Sequence, residues 1–250
     1  MKKTLLFVLF IFLFLRSFSQ FPIRDSLLSF PAIGVSASYQ WPGQDLSDRF
    51  GPNTNIGGVF QWKFKNNVII GLDGQFLFGE KVRESSVLDS LKTGNGQIIA
   101  GNGRYADILL SERGLKIELK AGKIFSVFGP NQNSGLVFTA AAGVLQHKIR
   151  IESPNGGVPS ISNEYAKGYD RLSNGLSLTG FAGYMHFGNS KLVSFYAGME
   201  LTQAFTKNRR SFDFDTMQQD LSTRNDLLWG FRFGWLIPIY RQTPKEFYYN

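Results

Sequence analysis

Two histidines, His147 and His186, and a complete lack of cysteine bound the chemistry open to this 250-residue chain. Thiolate metal sites, disulfides and cysteine-linked lipid anchors are excluded. An imidazole can serve as general base to a serine, but only with the serine and an orienting acid at hand. His147 is followed by Lys148 and Arg150, a spacing suited to an anionic headgroup, yet no serine nucleophile motif accompanies it. Both histidines are therefore read as non-catalytic, and the chain as no enzyme. Asp213 and Asp215 alternate with Phe212 and Phe214 and do not match a calcium loop. Phosphate loops, dinucleotide fingerprints and zinc spacings are missing as well, so no metal or cofactor is expected.

The other group with chemical potential is a set of charges embedded in apolar alternation: Lys63, Asp73, Lys116, Glu118, Lys120, Glu200 and Arg232. The stretch from Asp226 to Tyr240 shows the pattern most clearly. Leu227, Trp229, Phe231, Phe233, Trp235, Ile237 and Ile239 fall on one side of an extended strand, and Leu228, Gly230, Arg232, Gly234, Leu236 and Pro238 on the other. The aromatic face is too greasy for water and the opposite face is small rather than hydrophilic. Lipid outside and a narrow packed lumen inside meet both demands. The charges then point into that lumen, where each must be paired or hydrated. Asp73 is placed to face the lysines of the next strand and Glu200 to meet Arg232. A salt-bridge network plugging the lumen is the reading; a proton or ion path is the alternative.

The same alternation recurs at about 31–41, 55–65, 67–80, 107–125 and 191–206, with Ala- and Gly-rich strands of ambiguous register at about 135–151 and 174–187. In those two, curvature is favoured over a closely packed neighbour as the reason for the small residues. Short turns at Lys65-Asn66-Asn67, Phe128–Ser134 and Gly188-Asn189-Ser190 alternate with long links at about 42–54, 81–106, 152–173 and 207–225. The expected fold is all-β: an eight-stranded antiparallel up-and-down transmembrane β-barrel, with short periplasmic turns and long extracellular loops. Trp41, Trp62, Trp229 and Trp235 are its lipid-facing aromatics, and His147, near the outer end of the fifth strand, is placed at the membrane interface. Lys2 and Lys3, an apolar run from Thr4 to Leu15 and Ser17-Phe18-Ser19 read as a cleaved signal over 1–19. A periplasmic segment over 20–30, the barrel over 31–240 and a periplasmic tail over 241–250 complete the expected division. The net charge of +8 loses three cations and no acid with the signal, leaving a scattered +5 and no case for nucleic acid.

Gly234-Trp235-Leu236-Ile237-Pro238-Ile239 resembles the signal by which outer-membrane assembly machinery recognises a last strand. Over about 31–240 the chain resembles the eight-stranded superfamily that includes the OmpA transmembrane domain and OmpX, and is more specifically similar to barrels of Bacteroidota. The resemblance implies an outer-membrane location in a Gram-negative cell and no assigned activity. Several such barrels are subunits of larger machines for secretion or barrel assembly, so a structural or interaction subunit is the expected role. A lipid A-modifying enzyme and a small ion or solute pore are the rivals. Besides outer-membrane lipid, the expected partners are other outer-membrane or surface proteins. The loop residues Arg104, Tyr105, Asp170, Arg171, Arg209, Arg210 and Phe212 are the interaction candidates, since arginine and aromatics favour interface centres. A hairpin around Gln97–Ala100 is expected above the membrane.

Overall fold

Alternating side chains fix which way each strand faces, and the ladder they form closes on itself. The computed structural model describes residues 27–154, 157–162, 164–188 and 192–240. The signal expected over 1–19 and the tail over 241–250 lie outside the described residues. Eight strands, β1 (Phe30–Gln44), β2 (Asn53–Lys63), β3 (Val68–Gly79), β4 (Leu109–Phe125), β5 (Gly135–Glu152), β6 (Ser173–Phe187), β7 (Ser194–Asn208) and β8 (Thr223–Pro238), follow one another around a closed barrel. Every pairing is antiparallel, and β1 closes the ring against β8 from Ala32↔Pro238 to Gln44↔Asp226. Closure leaves no edge strand with unpaired backbone groups, the condition a sheet must meet in lipid.

The expected strands are recovered with shifts of a few residues at their ends. β1 runs on to Gln44 rather than stopping near residue 41. Pro42 and Gly43 read as loop in sequence, but they pair only with Leu228 and Leu227 of β8, beyond the last β2 pair Gln40↔Asn53. A proline is tolerated where one ladder is open. The first long link thus shrinks, and a single turn of helix, α1 (Asp45–Arg49), fills it. At the other end of the barrel Asn67, at φ 61°, closes a tight turn in which its amide donates to the Phe64 carbonyl.

The exterior is apolar. Val35, Ile56, Leu72, Ile117, Leu119, Val144, Leu176 and Leu201 are among its exposed side chains. Aromatic residues border this belt on both sides. Trp41 stacks on Trp229 at 4.9 Å towards the long-loop end. Trp62 and Trp235 lie towards the short turns, their indole N–H groups donating to the Ser29 hydroxyl and the Leu192 carbonyl. Among the described residues no helix is long and apolar enough to cross a membrane; here the strands do the crossing.

The ambiguous faces of β5 and β6 are resolved as well. Val137, Leu145, His147 and Ile149 point inward from β5, as do Ser177, Thr179, Phe181 and Met185 from β6, while Ala140, Ala142, Gly180 and Ala182 point out. The inward glycines admit close approach of the next strand: a Cβ on Gly143 or Gly175 would overlap the carbonyl oxygen of Ile117 or Phe205. Gly180 differs, since a Cβ there would meet only open space.

Phe233 is an outward residue 54% exposed in mid-β8. Phe233→Arg is expected to lose about 2–4 kcal/mol, the cost of a cation facing midplane lipid, read as an earlier urea midpoint for the detergent-refolded barrel. A parent-like midpoint would show that this face does not meet lipid.

Candidate functional site

Inside the barrel the side chains form layers. Phe30, Phe187 and Tyr240 close the short-turn end, with Phe30 edge-on to both rings at 5.0 and 4.8 Å. Ile69, Ile124, Val137, Met185 and Leu236 belong to the same apolar layer. Leu77, Leu145, Leu228 and Ala204 form a second one nearer the loops. Between the two lies a band of charge.

Six of the seven predicted lumen charges meet in that band. Arg232 reaches Glu200 at 2.7 Å through one nitrogen and Asp73 at 3.0 Å through the other. Lys120 bonds the second oxygen of Asp73 at 3.0 Å. Lys116 sits 3.3 Å from Glu200 and 3.5 Å from Glu118. Three cations thus face three carboxylates, and neutral polar groups take up further lone pairs. The Gln40 amide donates to Glu200 at 2.7 Å, and the hydroxyls of Ser177 and Thr179 donate to Glu118 at 2.8 and 2.7 Å. Tyr196 lies beside Lys120 and Arg232, each 5.7 Å from its ring centre. Gly234 makes room for it, because a Cβ there would overlap the ring. The void left among Gln61, Asp73, Lys120, Tyr196 and Arg232 is about 20 Å³, about the size of one probe sphere of water.

The seventh residue, Lys63, does not join the band. It turns to the short-turn end, where its ammonium donates to Asn133 Oδ1 at 2.8 Å and to the Leu28 carbonyl at 3.0 Å. Its inward position was legible; its height, near the end of β2, separates it from every carboxylate of the band.

His147 departs further from expectation. It is fully buried beneath the loops, not placed at a lipid interface, and lies 2.9 Å from Asp226 Oδ2, an oxygen that also accepts from the Thr206 hydroxyl. The Phe50 ring covers it edge-on at 5.6 Å. Asn53 and Glu112, joined at 3.1 Å, are buried close by. A histidine, an acid and a hydroxyl therefore do meet, buried beneath the Phe50 ring. Asp226 shares the inward parity of Leu228 and Arg232, and that parity was the signal that could have located it. His147 was hidden by the small residues of β5.

Above this layer the long loops fold into a crown. Arg49, at the end of α1, bonds Glu84 at 2.6 Å, and its guanidinium also donates to the Arg171 carbonyl and the Ser173 hydroxyl. Arg171 is clasped by Glu84 at 3.2 Å, Asp213 at 2.6 Å and Asp215 at 2.5 Å. Burial pulls the Arg171 guanidinium down, but the three carboxylates outweigh it and hold it above its ordinary value. Arg210 bonds Asp170 through two nitrogens, and that hydrogen bonding raises its pKa. Asp170, Arg171 and Arg210, read in sequence as interaction residues, are thus spent holding the crown together. Arg104, Tyr105, Arg209 and Phe212 remain exposed. Arg104 and Tyr105 lie on a small hairpin in which Ile99 bridges Tyr105, and this is the hairpin expected around Gln97–Ala100.

A closed barrel with an apolar belt, two aromatic borders and a filled polar interior is the architecture of an outer-membrane β-barrel. Several solved structures match the chain over most of their length. Neisserial surface protein A matches at 11% identity, covering 83% of this chain and 96% of that one, with a TM-score of 0.43. The N-terminal β-barrel domain of Pseudomonas aeruginosa OprF matches at 12% identity, 84% and 99% coverage and a TM-score of 0.37. Ail, the attachment invasion locus protein of Yersinia pestis, seen with the heparin analogue sucrose octasulfate, matches at 13% identity, 83% and 97% coverage and a TM-score of 0.34. No protein-family profile and no curated protein sequence matches the chain.

Two predictions follow from these contacts. Glu200→Ala and Arg232→Ala are each expected to cost about 3–5 kcal/mol by stranding a buried charge. The double variant leaves two cations facing two carboxylates, so it should be far milder than the sum; additive losses would show the pair to be uncoupled. Separately, Arg171→Ala should leave the barrel folded in detergent but open the crown to protease cleavage between residues 207 and 222. Cleavage no faster than in the parent would remove Arg171 as the clasp.

Proposed function

We propose that this barrel is a non-catalytic structural or interaction subunit of the outer membrane, within a multiprotein assembly or secretion complex, with its long loops facing the outside. The observation that supports this most is the occupied interior. The charge band leaves a void of only about 20 Å³, and the His147 layer is roofed by Phe50 and the crown. An interior closed in this way supports neither a solute path nor a buried substrate seat. What the protein can offer lies on its surfaces. The crown carries exposed Tyr105, Tyr165, Met217 and Leu221, the last two at 71% and 77% exposure, on a base stiffened by ion pairs. Rigid, partly apolar surface of that kind suits a protein partner, because little ordering is needed at the moment of binding.

The test is purification of the tagged protein from native membranes in mild detergent. A defined set of co-purifying outer-membrane or surface proteins is expected, and it should be lost in a Met217→Asp/Leu221→Asp variant that still inserts. Recovery of the barrel alone would sink the subunit reading. Steady single-channel conductance in planar bilayers would instead favour a pore, and an altered lipid A mass profile in a deletion strain would favour an enzyme.

A further inference from the structure

The outward surface differs around the circumference. At the long-loop rim, β4, β5 and β7 direct Arg113, Lys148 and Lys207 outward, and Arg209 follows just beyond β7. The matching outward positions of β8 and β1 hold Thr223, Asn225 and Gly43. Arg113 and Lys148 are register partners. Like charges directly opposite one another weaken a sheet, and among the described residues no carboxylate lies close to both; Arg113 donates to the Glu112 carbonyl at 2.7 Å. Arg113 lies over the Phe78 ring at 5.5 Å, and Lys148 has Asp170 only at 3.8 Å, a carboxylate already bonded to Arg210.

Below this arc, on the same side, the lipid-facing surface is hollow. Ala121, Ala140 and Gly180 are neighbours across β4, β5 and β6. Phe138, Met199, Leu201 and Trp229 border a recess of about 610 Å³ around Gly180 and Ala182. A cationic rim above an apolar recess is complementary to a molecule with anionic groups at the membrane surface and hydrocarbon beneath.

We propose that this face binds one phosphorylated, multiply acylated glycolipid of the lipid A type. Its phosphates rest on Arg113, Lys148, Lys207 and Arg209, and an acyl chain occupies the recess. The width of the arc selects this occupant over a phospholipid. Adjacent strands lie about 4.8 Å apart, so β4 to β7 span roughly 14 Å, too wide for one phosphate and suited to a disaccharide phosphorylated at both ends. The one-sided placement separates the arc from the general attraction of scattered cations to anionic lipid. The inference rests on the long loops facing outward, where such a lipid resides.

Native mass spectrometry of the full-length barrel in detergent micelles tests it, with bisphosphorylated lipid A, its dephosphorylated form and phosphatidylglycerol as probes. Bisphosphorylated lipid A is expected to bind best. The variant Arg113→Gln/Lys148→Gln/Lys207→Gln should weaken it at least tenfold, and Gly180→Leu severalfold. Lys65→Gln/Lys123→Gln, at the short-turn end, should change nothing. Folding of each variant is checked by heat-modifiable mobility, and Lys207→Gln/Arg209→Gln serves if the triple variant fails that check. Parent-like binding by the arc variants overturns the proposal. So does equal loss in the short-turn variant, or phosphatidylglycerol binding as tightly with the same dependence. Failure here with partners still recovered from native membranes leaves the subunit reading intact, and the reverse result leaves the lipid site intact.

Discussion

The structure depends on neutralising charge where water cannot do it. An eight-stranded barrel is too narrow to hold bulk water, and its outside is hydrocarbon, so an unpaired inward charge has no inexpensive environment. The chain answers with equal numbers of cations and carboxylates at one height, each touching two or more partners. Arg232 bridges Asp73 and Glu200; Lys116 bridges Glu200 and Glu118. These contacts tie β3, β4, β7 and β8 across the lumen as well as along the wall, so the ladder is braced from inside. Apolar layers above and below shield the band from bulk water and keep its Coulomb interactions strong.

The same economy governs the crown. The long loops share an apolar core in which Phe50, Val87, Leu88, Ile98, Ile161 and Tyr169 are buried, and ion pairs lock the loops to one another over it. Arg171 draws together the loops between β3 and β4, β5 and β6, and β7 and β8 through Glu84, Asp213 and Asp215. Arg49 links that knot to α1 and to the first residue of β6. Phe50 then sits between the knot and the His147–Asp226 pair. Exposed ion pairs add little to stability, but Arg49 and Arg171 are buried, and their partners converge from separate loops, so each pair fixes one loop against another.

Sequence showed the walls well and the crown poorly, for a physical reason. In a half-buried strand the period of two is enforced at every position, so Asp73, Lys116, Glu118, Lys120, Glu200 and Arg232 could be assigned to the lumen by counting from apolar neighbours. Parity does not give height, so Lys63 was grouped with charges it never reaches. Where both faces are small, as around Ala140-Ala141-Ala142, parity loses its contrast, and His147 was placed at the interface instead of inside. Loops have no period at all. Asp170, Arg171 and Arg210 look in sequence like surface recognition residues, because the composition that suits an interface centre also suits a self-packed knot of loops.

That ambiguity bears on how a barrel of this kind can act. With the lumen filled and the mouth sealed by its own ion pairs, conformational change inside would have to break several buried charge contacts together, each strengthened by the low dielectric around it. Under the proposed reading, function resides in what the wall and crown display: exposed apolar side chains at the top, aromatic borders, and a cationic arc above a hollow on one side. A uniform lipid-facing wall would give the barrel no preferred rotation about the membrane normal relative to its neighbours. The arc and the recess break that symmetry, and a lipid held there would fix which face of the crown is turned towards a partner beside it.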